Sequence, residues 1–276
     1  MMRELDIPGT AEQIIAFLKR MVTNAGFSRV VVAVSGGIDS ATAVTLATAA
    51  LGPEAVFALS LPYQNWHIES GGRAGRLLNQ LHIPASHIRE IDIAPMVEAF
   101  IRSVGIQPQQ VNSPANEDLD RVRLGNIMAR VRMITLFDYA KELSALVLGT
   151  ENKSEHYLGY YTRFGDEASD IEPLRNLYKT ELYRLAGHLG IPEEIREAVP
   201  TAGLWPGQSD EGQFGFTYET ADKILYGLYD VGRSPQELVE GGLNKQAIDR
   251  VQAWVAQMDF KHNLPWIAPE PVILSK

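Results

Sequence analysis

The chain has 276 residues, 45% of them hydrophobic and 21% charged, a composition of a soluble globular fold long enough for one large core. A formal net charge of −9 argues against broad electrostatic capture of nucleic acid, and the lack of cysteine excludes disulfides, thiolate metal sites and a Cys nucleophile. No apolar run is long enough to span a membrane and the N-terminus carries acids where a signal peptide would be basic, so no membrane partner is expected and the cytoplasm is the default compartment.

Residues 10–25 place Ile14, Ile15, Leu18 and Val22 at helical spacing, which predicts an amphipathic helix. Residues 30–34 are a valine-rich run without polar alternation, as a parallel strand covered on both faces requires. The pattern then repeats as helix 40–51, strand 55–61, helix from about 67 to 82, strand 88–93 and helix 94–104. This βαβαβ order predicts an α/β fold with a doubly wound parallel sheet. Residues 105–117 read as a loop. Residues 118–142 form a long helix with Leu124, Ile127, Val131 and Ile134 on its apolar face and Arg123, Asn126 and Arg130 on a polar stripe; strand 145–148 follows. Residues 150–170 and 199–216 are rich in Gly, Asp and Tyr without periodicity, and long irregular stretches in a compact domain tend to be functional. Residues 217–258 return to helix, and the tail LPWIAPEPVILSK reads as extended. No repeat, low-complexity block or linker divides the chain, so residues 1–276 are expected to form a single domain.

The informative stretch is VVVAVSGGIDSA at 30–41, where a buried strand turns through glycines into a helix. Such a turn leaves backbone N–H groups pointing into a concavity at a helix N-terminus, which suits phosphate. The spacing fits neither the Walker pattern nor the dinucleotide G-x-G-x-x-G. Ser35 and Ser40 add hydroxyls, and Asp39 adds a carboxylate that would repel phosphate unless a hard cation such as Mg2+ sat between them. An Asp that merely complements a helix dipole is the plainer alternative.

The stretch SGGIDS at 35–40 resembles the signature of the PP-loop ATP pyrophosphatases. Further stretches make the chain similar to the NAD+ synthetase family within that group: GNIMARVRM at 125–133, GTENKSE at 149–155, GYYTRFGDEASDIEPL at 159–174, LYKTEL at 177–182 and PTAGLWPGQSDE at 200–211. The resemblance implies an adenine nucleotide alpha hydrolase-like sheet of about five strands. It also implies an ammonia-dependent ligase with ATP, deamido-NAD and ammonia as substrates, Mg2+ as cofactor and a homodimer as the assembly. It assigns ATP to Ala33, Val34, Ser35, Gly36, Gly37, Ile38, Asp39 and Ser40, and to Thr150, Lys179 and Thr201. Asp39 and Glu155 would hold the metal, and Asp39 and Lys179 would be catalytic, an anionic transition state at phosphorus calling for a placed cation. Deamido-NAD would meet Arg130, Arg163, Asp170, Phe260 and Lys261. Arg163 stands where many members have Lys, and Phe260 and His262 depart from the His-Lys-Arg stretch of the family. Taken singly, Glu155 reads as a solvated loop acid, Thr150 as a turn cap, and Tyr157, Tyr160, Tyr161 and Trp205 as packing residues.

The chemistry this implies is attack of the nicotinate carboxylate on the α-phosphorus of ATP, departure of pyrophosphate, and displacement of AMP by ammonia. Two other readings fit parts of the pattern. A PP-loop enzyme with another acceptor, such as a GMP synthetase or a tRNA-modifying enzyme, keeps the loop; tRNA thiolases usually need cysteines and tRNA needs basic surface, and this chain has neither. A nucleotide-binding module without turnover would have no use for Asp39, Glu155 and Lys179 together.

Overall fold

The computed structural model describes residues 2–64, 68–105, 117–205, 207–262 and 265–269. The expected loop at 105–117 falls almost wholly outside these residues, and of the tail only 265–269 are described, without helix or strand. Helix α1 (Ile7–Asn24) opens the chain, its N-terminus capped by Asp6, whose carboxylate accepts from Gly9 N. Strand β1 (Val30–Ala33) leads through the SGG turn into α2 (Ile38–Leu51), then β2 (Val56–Ser60), α3 (Ile68–Gln80), β3 (Ile88–Glu90), α4 (Ala94–Ser103), α5 (Glu117–Leu143) and β4 (Leu146–Val147). All pairings are parallel, in the order β3-β2-β1-β4, with Val31 in register with Phe57 on one side and Val147 on the other.

The valine run needs apolar cover above and below, and it has both. Val30 and Val32 pack with α1, α2 and α3, whereas Val31 packs with α4 and α5. The α/β, doubly wound arrangement is therefore as expected. Helix α2 is apolar nearly all round and, Asp39 apart, buried from Ile38 to Ala47, the signature of a helix enclosed on every side.

The sheet has four strands among the described residues instead of about five. Beyond β4 the described residues make only one isolated parallel bridge, Leu148 to Ile171. Two neighbours end that ladder: the Asp170 carboxylate takes the Val147 N–H at 2.7 Å, and Pro173 has no N–H to contribute. On α5, Leu124 is buried as expected, but Ile134 is 61% exposed: the buried face runs on through Met128, Leu136 and Ala140, and Ile134 points away from it.

The C-terminal half supplies α6 (Lys153–Leu158), α7 (Lys179–His188), α8 (Glu193–Arg196), α9 (Asp210–Phe214), α10 (Tyr218–Leu225), a π-turn (Tyr226–Asp230), α11 (Pro235–Glu240) and α12 (Lys245–Met258). Helix α7 joins the α1–α2 face, while α9 to α12 close around Leu158, Tyr178 and Phe214 as a separate helical core. In an open parallel sheet the ligand crevice lies where strand order reverses, at the carboxyl ends. Here that point is between β1 and β4, and every segment quoted for its chemistry converges there.

Candidate active site

The turn after β1 is drawn tight by its own hydroxyls. Ser40 Oγ accepts from Ser35 N at 3.2 Å and donates to Gly37 O at 3.2 Å, and the two serine hydroxyls lie 3.1 Å apart. Gly36 has φ of +81°, a conformation closed to most side chains, and Gly37 caps α2 with no side-chain hydrogen bond to its first turn. The N-terminus of a long buried helix is thus left for a ligand.

Asp39, in the first turn of α2, meets two groups from the far side of the crevice. Lys179 Nζ donates to Asp39 Oδ2 at 2.6 Å and to Glu155 Oε1 at 3.2 Å, and Asn152 Nδ2 donates to Asp39 Oδ1 at 2.8 Å. Local sequence explains the placement of Glu155: Asn152 and Glu155 form a reciprocal capping box on α6, fixing the carboxylate in the first turn of that helix. Lys179 is the first residue of α7, and its side chain is only 2% exposed. Asp39 and Glu155 raise its pKa, overcoming the burial that would lower it. Burial pushes the Glu155 carboxyl well above the usual range, and the neighbouring Asp39 pushes it further. One buried cation faces two carboxylates, so the cluster is short of positive charge.

That shortage is what a hard divalent cation would meet. Asp39 and Glu155 offer oxygen donors suited to Mg2+, and no group of three or more acidic or histidine side chains arranged for a metal occurs among the described residues. Two carboxylates with the rest of the shell left to phosphate and water is the pattern for Mg2+ carried on a nucleotide.

Beside the cluster lies a cavity of about 340 Å³ whose wall includes Ala33, Asn126, Thr150, Tyr160, Trp205 and Lys261. Ala33 and Thr150 bring it to the ends of β1 and β4. Asn126 leaves the solvent stripe expected for it and turns inward, accepting from Thr162 Oγ1 at 2.8 Å. Tyr160 and Trp205, read from sequence as packing residues, line the cavity.

Four of the five expected dinucleotide residues meet at one rim. Arg130 Nε donates to Arg163 O at 3.2 Å, the Arg163 guanidinium lies 5.2 Å from the Phe260 ring centre, and Lys261 follows Phe260 in the chain. Lys261 has a further duty, since its ammonium donates to Gly159 O at 2.6 Å and Tyr161 O at 2.7 Å. Gly159 has to be glycine there: φ is +58° and a Cβ would lie 2.6 Å from that of Met258. Asp170 is not among them, because its carboxylate ends the β4 ladder. Thr201 is exposed and closes a turn by accepting from Gly203 N at 3.0 Å; the next residue, Ala202, lines the cavity.

Several site residues were not singled out from sequence. Asp210 accepts from Ala202 N at 3.0 Å and from Tyr218 OH at 3.0 Å, holding the PTAG turn against the cavity, and the Tyr218 ring centre is 5.2 Å from Lys179 Nζ. Asn152, Ser154 and Asp210 lie within stretches quoted above, so an unusual density of acceptors in a non-periodic segment was the available signal. Glu151, buried, pairs with Arg175 at 2.9 Å and with His156 Nδ1 at 3.2 Å. Beside them burial raises the Glu172 carboxyl to about 7, against the Ser169 hydroxyl and Arg175, which favour its charged form.

The model of the family described as NAD synthase matches residues 10–265. The NH3-dependent NAD+ synthetase of Thermococcus kodakarensis is 41% identical, over 98% of this chain and 100% of the relative. The structure of an NMN synthetase from Francisella tularensis superposes with a TM-score of 0.80 at 32% identity, covering 96% of this chain and 99% of that one. An NH3-dependent NAD synthetase structure from Campylobacter jejuni gives a TM-score of 0.76, also at 32% identity, over 96% of this chain and 100% of the other. With a glycine loop, two carboxylates and a buried lysine at the switch point, and likeness along almost its entire length, the chain belongs to the NAD synthase family.

Proposed function

We propose that the chain amidates deamido-NAD with ammonia, cleaving ATP to AMP and pyrophosphate and passing through an acyl-adenylate. The observation that carries this reading is the meeting of Asp39, Glu155 and Lys179 within 3.2 Å beside an uncapped helix N-terminus. Backbone N–H groups at the uncapped start of α2 and the Lys179 ammonium would hold phosphate oxygens while the nicotinate carboxylate approaches the α-phosphorus. No side-chain nucleophile is required: holding the reactants and offsetting charge suffice. Mg2+, held by Asp39 and Glu155, would supply charge neutralisation of the phosphates. The rim formed by Arg130, Arg163, Phe260 and Lys261 would receive the dinucleotide, with Thr150 and Thr201 on the ATP side; Asp170, held by the Val147 N–H, is left out of it. A homodimer in the cytoplasm is the setting consistent with this family, and no helix among the described residues is long and apolar enough to cross a membrane.

The test is Asp39→Asn. Turnover should fall by roughly 10²-fold or more, the scale of losing one placed electrostatic contact, with the circular dichroism spectrum unchanged. A folded variant within about threefold of wild type at saturating Mg2+ would remove Asp39 from the metal site. Likeness to the Francisella tularensis NMN synthetase favours a second reading, in which the acceptor is a mononucleotide. Supplying nicotinate mononucleotide in place of deamido-NAD decides between them by relative kcat/KM.

A further inference from the structure

Glu155 and Lys179 reach the same point from two short helices whose starts share one backbone hydrogen bond, Lys153 N to Leu177 O at 2.8 Å, and a second tie through side chains sets α6 against α7. We infer that Asp222, on α10, is the positioning residue that does so, acting through Ser154 and Thr180. The inference rests on the active-site reading above and adds a residue that touches none of the reacting groups.

Asp222 and Ser154 are both fully buried. Asp222 Oδ1 accepts from the Ser154 hydroxyl at 2.5 Å, and Oδ2 accepts from Thr180 N at 2.9 Å. Ser154 Oγ in turn accepts from Lys179 N at 2.8 Å. Ser154 precedes Glu155 and Thr180 follows Lys179. A three-link chain therefore runs from the C-terminal helical core to the backbone on either side of the two residues that meet Asp39.

The bonding directions leave little freedom. Thr180 N–H and Lys179 N–H can only donate, so the Ser154 hydroxyl, having accepted one, sends its own proton to Asp222. The residue receiving both Ser154 O–H and Thr180 N–H must accept at two atoms, which a carboxylate does and an amide does not. The partners of Asp222 are the Ser154 and Thr180 hydroxyls and a backbone amide instead of a basic side chain, and a carboxylate buried on those terms is a costly way to fill space. Its geometry is instead that of outer-shell groups that orient metal ligands and tune them at a distance.

The experiment compares Asp222→Asn, Ser154→Ala and the double variant. In Asp222→Asn the amide oxygen stays on Thr180 N–H, so the NH2 faces Ser154 and the chain from Ser154 is broken. The expected result is a roughly 10- to 100-fold fall in kcat, with KM for deamido-NAD within about twofold of wild type. By calorimetry, affinity for Mg2+ with a non-hydrolysable ATP analogue should weaken by a similar factor. Ser154→Ala should reproduce both effects, and the double variant should be no worse than the weaker single one, because all three break one chain. Wild-type kcat and analogue affinity in both single variants would overturn the inference. So would losses that track the unfolded fraction in thermal melts, or double-variant losses that multiply. If the wild-type chain binds the analogue but forms no NAD+, the functional reading fails while the calorimetric comparison still judges Asp222.

Discussion

Replacing Lys179 by methionine keeps the length of the stem and deletes the charge between two carboxylates. At an effective dielectric constant of about 20, the contacts to Asp39 at 2.6 Å and Glu155 at 3.2 Å carry roughly 6 and roughly 5 kcal/mol of attraction. Most of this is offset by the cost of burying an ammonium that is 2% exposed. Removing one partner from such a buried set costs about 3–5 kcal/mol, because the remaining charges lose their counterpart. Glu155, already pushed toward its protonated form, would take up a proton and soften the loss. For a chain of this size a shift of roughly 10 °C in thermal midpoint is expected. Millimolar Mg2+ should restore part of it, since a ligand at 100 times its Kd adds about 2.7 kcal/mol and the bared carboxylates offer it a site. Turnover should fall by roughly 10²–10³-fold even where the variant is folded. The assay is differential scanning calorimetry with and without MgCl2, paired with rates of NAD+ formation. A variant with the wild-type midpoint, no response to Mg2+ and near-normal turnover would refute the reasoning.

Arg130→Ala should raise KM for deamido-NAD far more than KM for ATP, because Arg130 joins the Arg163 rim and not the carboxylate cluster; initial rates varying each substrate in turn check this, and an effect on ATP alone would move the residue to the other site. Glu172 gives a pH dependence of definite sign. Its folded carboxyl is raised to about 7 from 4.5, so the folded state keeps a proton that the unfolded chain releases. Stability is therefore full below about 4.5, falls as pH rises, and has lost roughly 3 kcal/mol once pH passes 7. Glu172→Gln, leaving Ser169, Glu151 and Arg175 in place, should flatten that slope in melts between pH 5 and 8 (roughly that window); an unchanged slope would assign it elsewhere. With no cysteine in the chain, glutamine alone should not replace ammonium, and kcat/KM for total ammonium should rise roughly tenfold per pH unit below the pKa of ammonium, since NH3 is the nucleophile. Comparable rates with ammonia-free glutamine, or a flat profile, would contradict this.

The doubly wound sheet was legible because residues 30–34 cannot be half-solvated and the alternation of helix and strand leaves few topologies. The carboxylate cluster was legible for a related reason: SGGIDS, GTENKSE and LYKTEL each begin at a strand end or helix start, where the fold gathers them. What escaped was set by tertiary pairing. The missing fifth strand turns on two residues, Asp170, whose carboxylate takes an amide that a backbone carbonyl would otherwise hold, and Pro173, which has no N–H. Asn126 shares a helical stripe with Arg130, yet Thr162 draws it into the cavity. Ile134 has the spacing of the Leu124, Ile127 and Val131 row, but the buried face of α5 turns to Leu136 and Ala140, leaving Ile134 61% exposed. The role of Asp222 depends on hydrogen bonds 68 and 42 residues away along the chain, a separation no periodicity reports.

The most direct measurement is mass analysis of the products formed by the purified chain from ATP, deamido-NAD and ammonium chloride in the presence of Mg2+. The expected result is NAD+, AMP and pyrophosphate in equal amounts, with 15N from labelled ammonium in the nicotinamide amide. ADP and orthophosphate as the main products, or AMP released without NAD+, would contradict α-phosphorus attack and with it the assignment of the Asp39, Glu155 and Lys179 cluster.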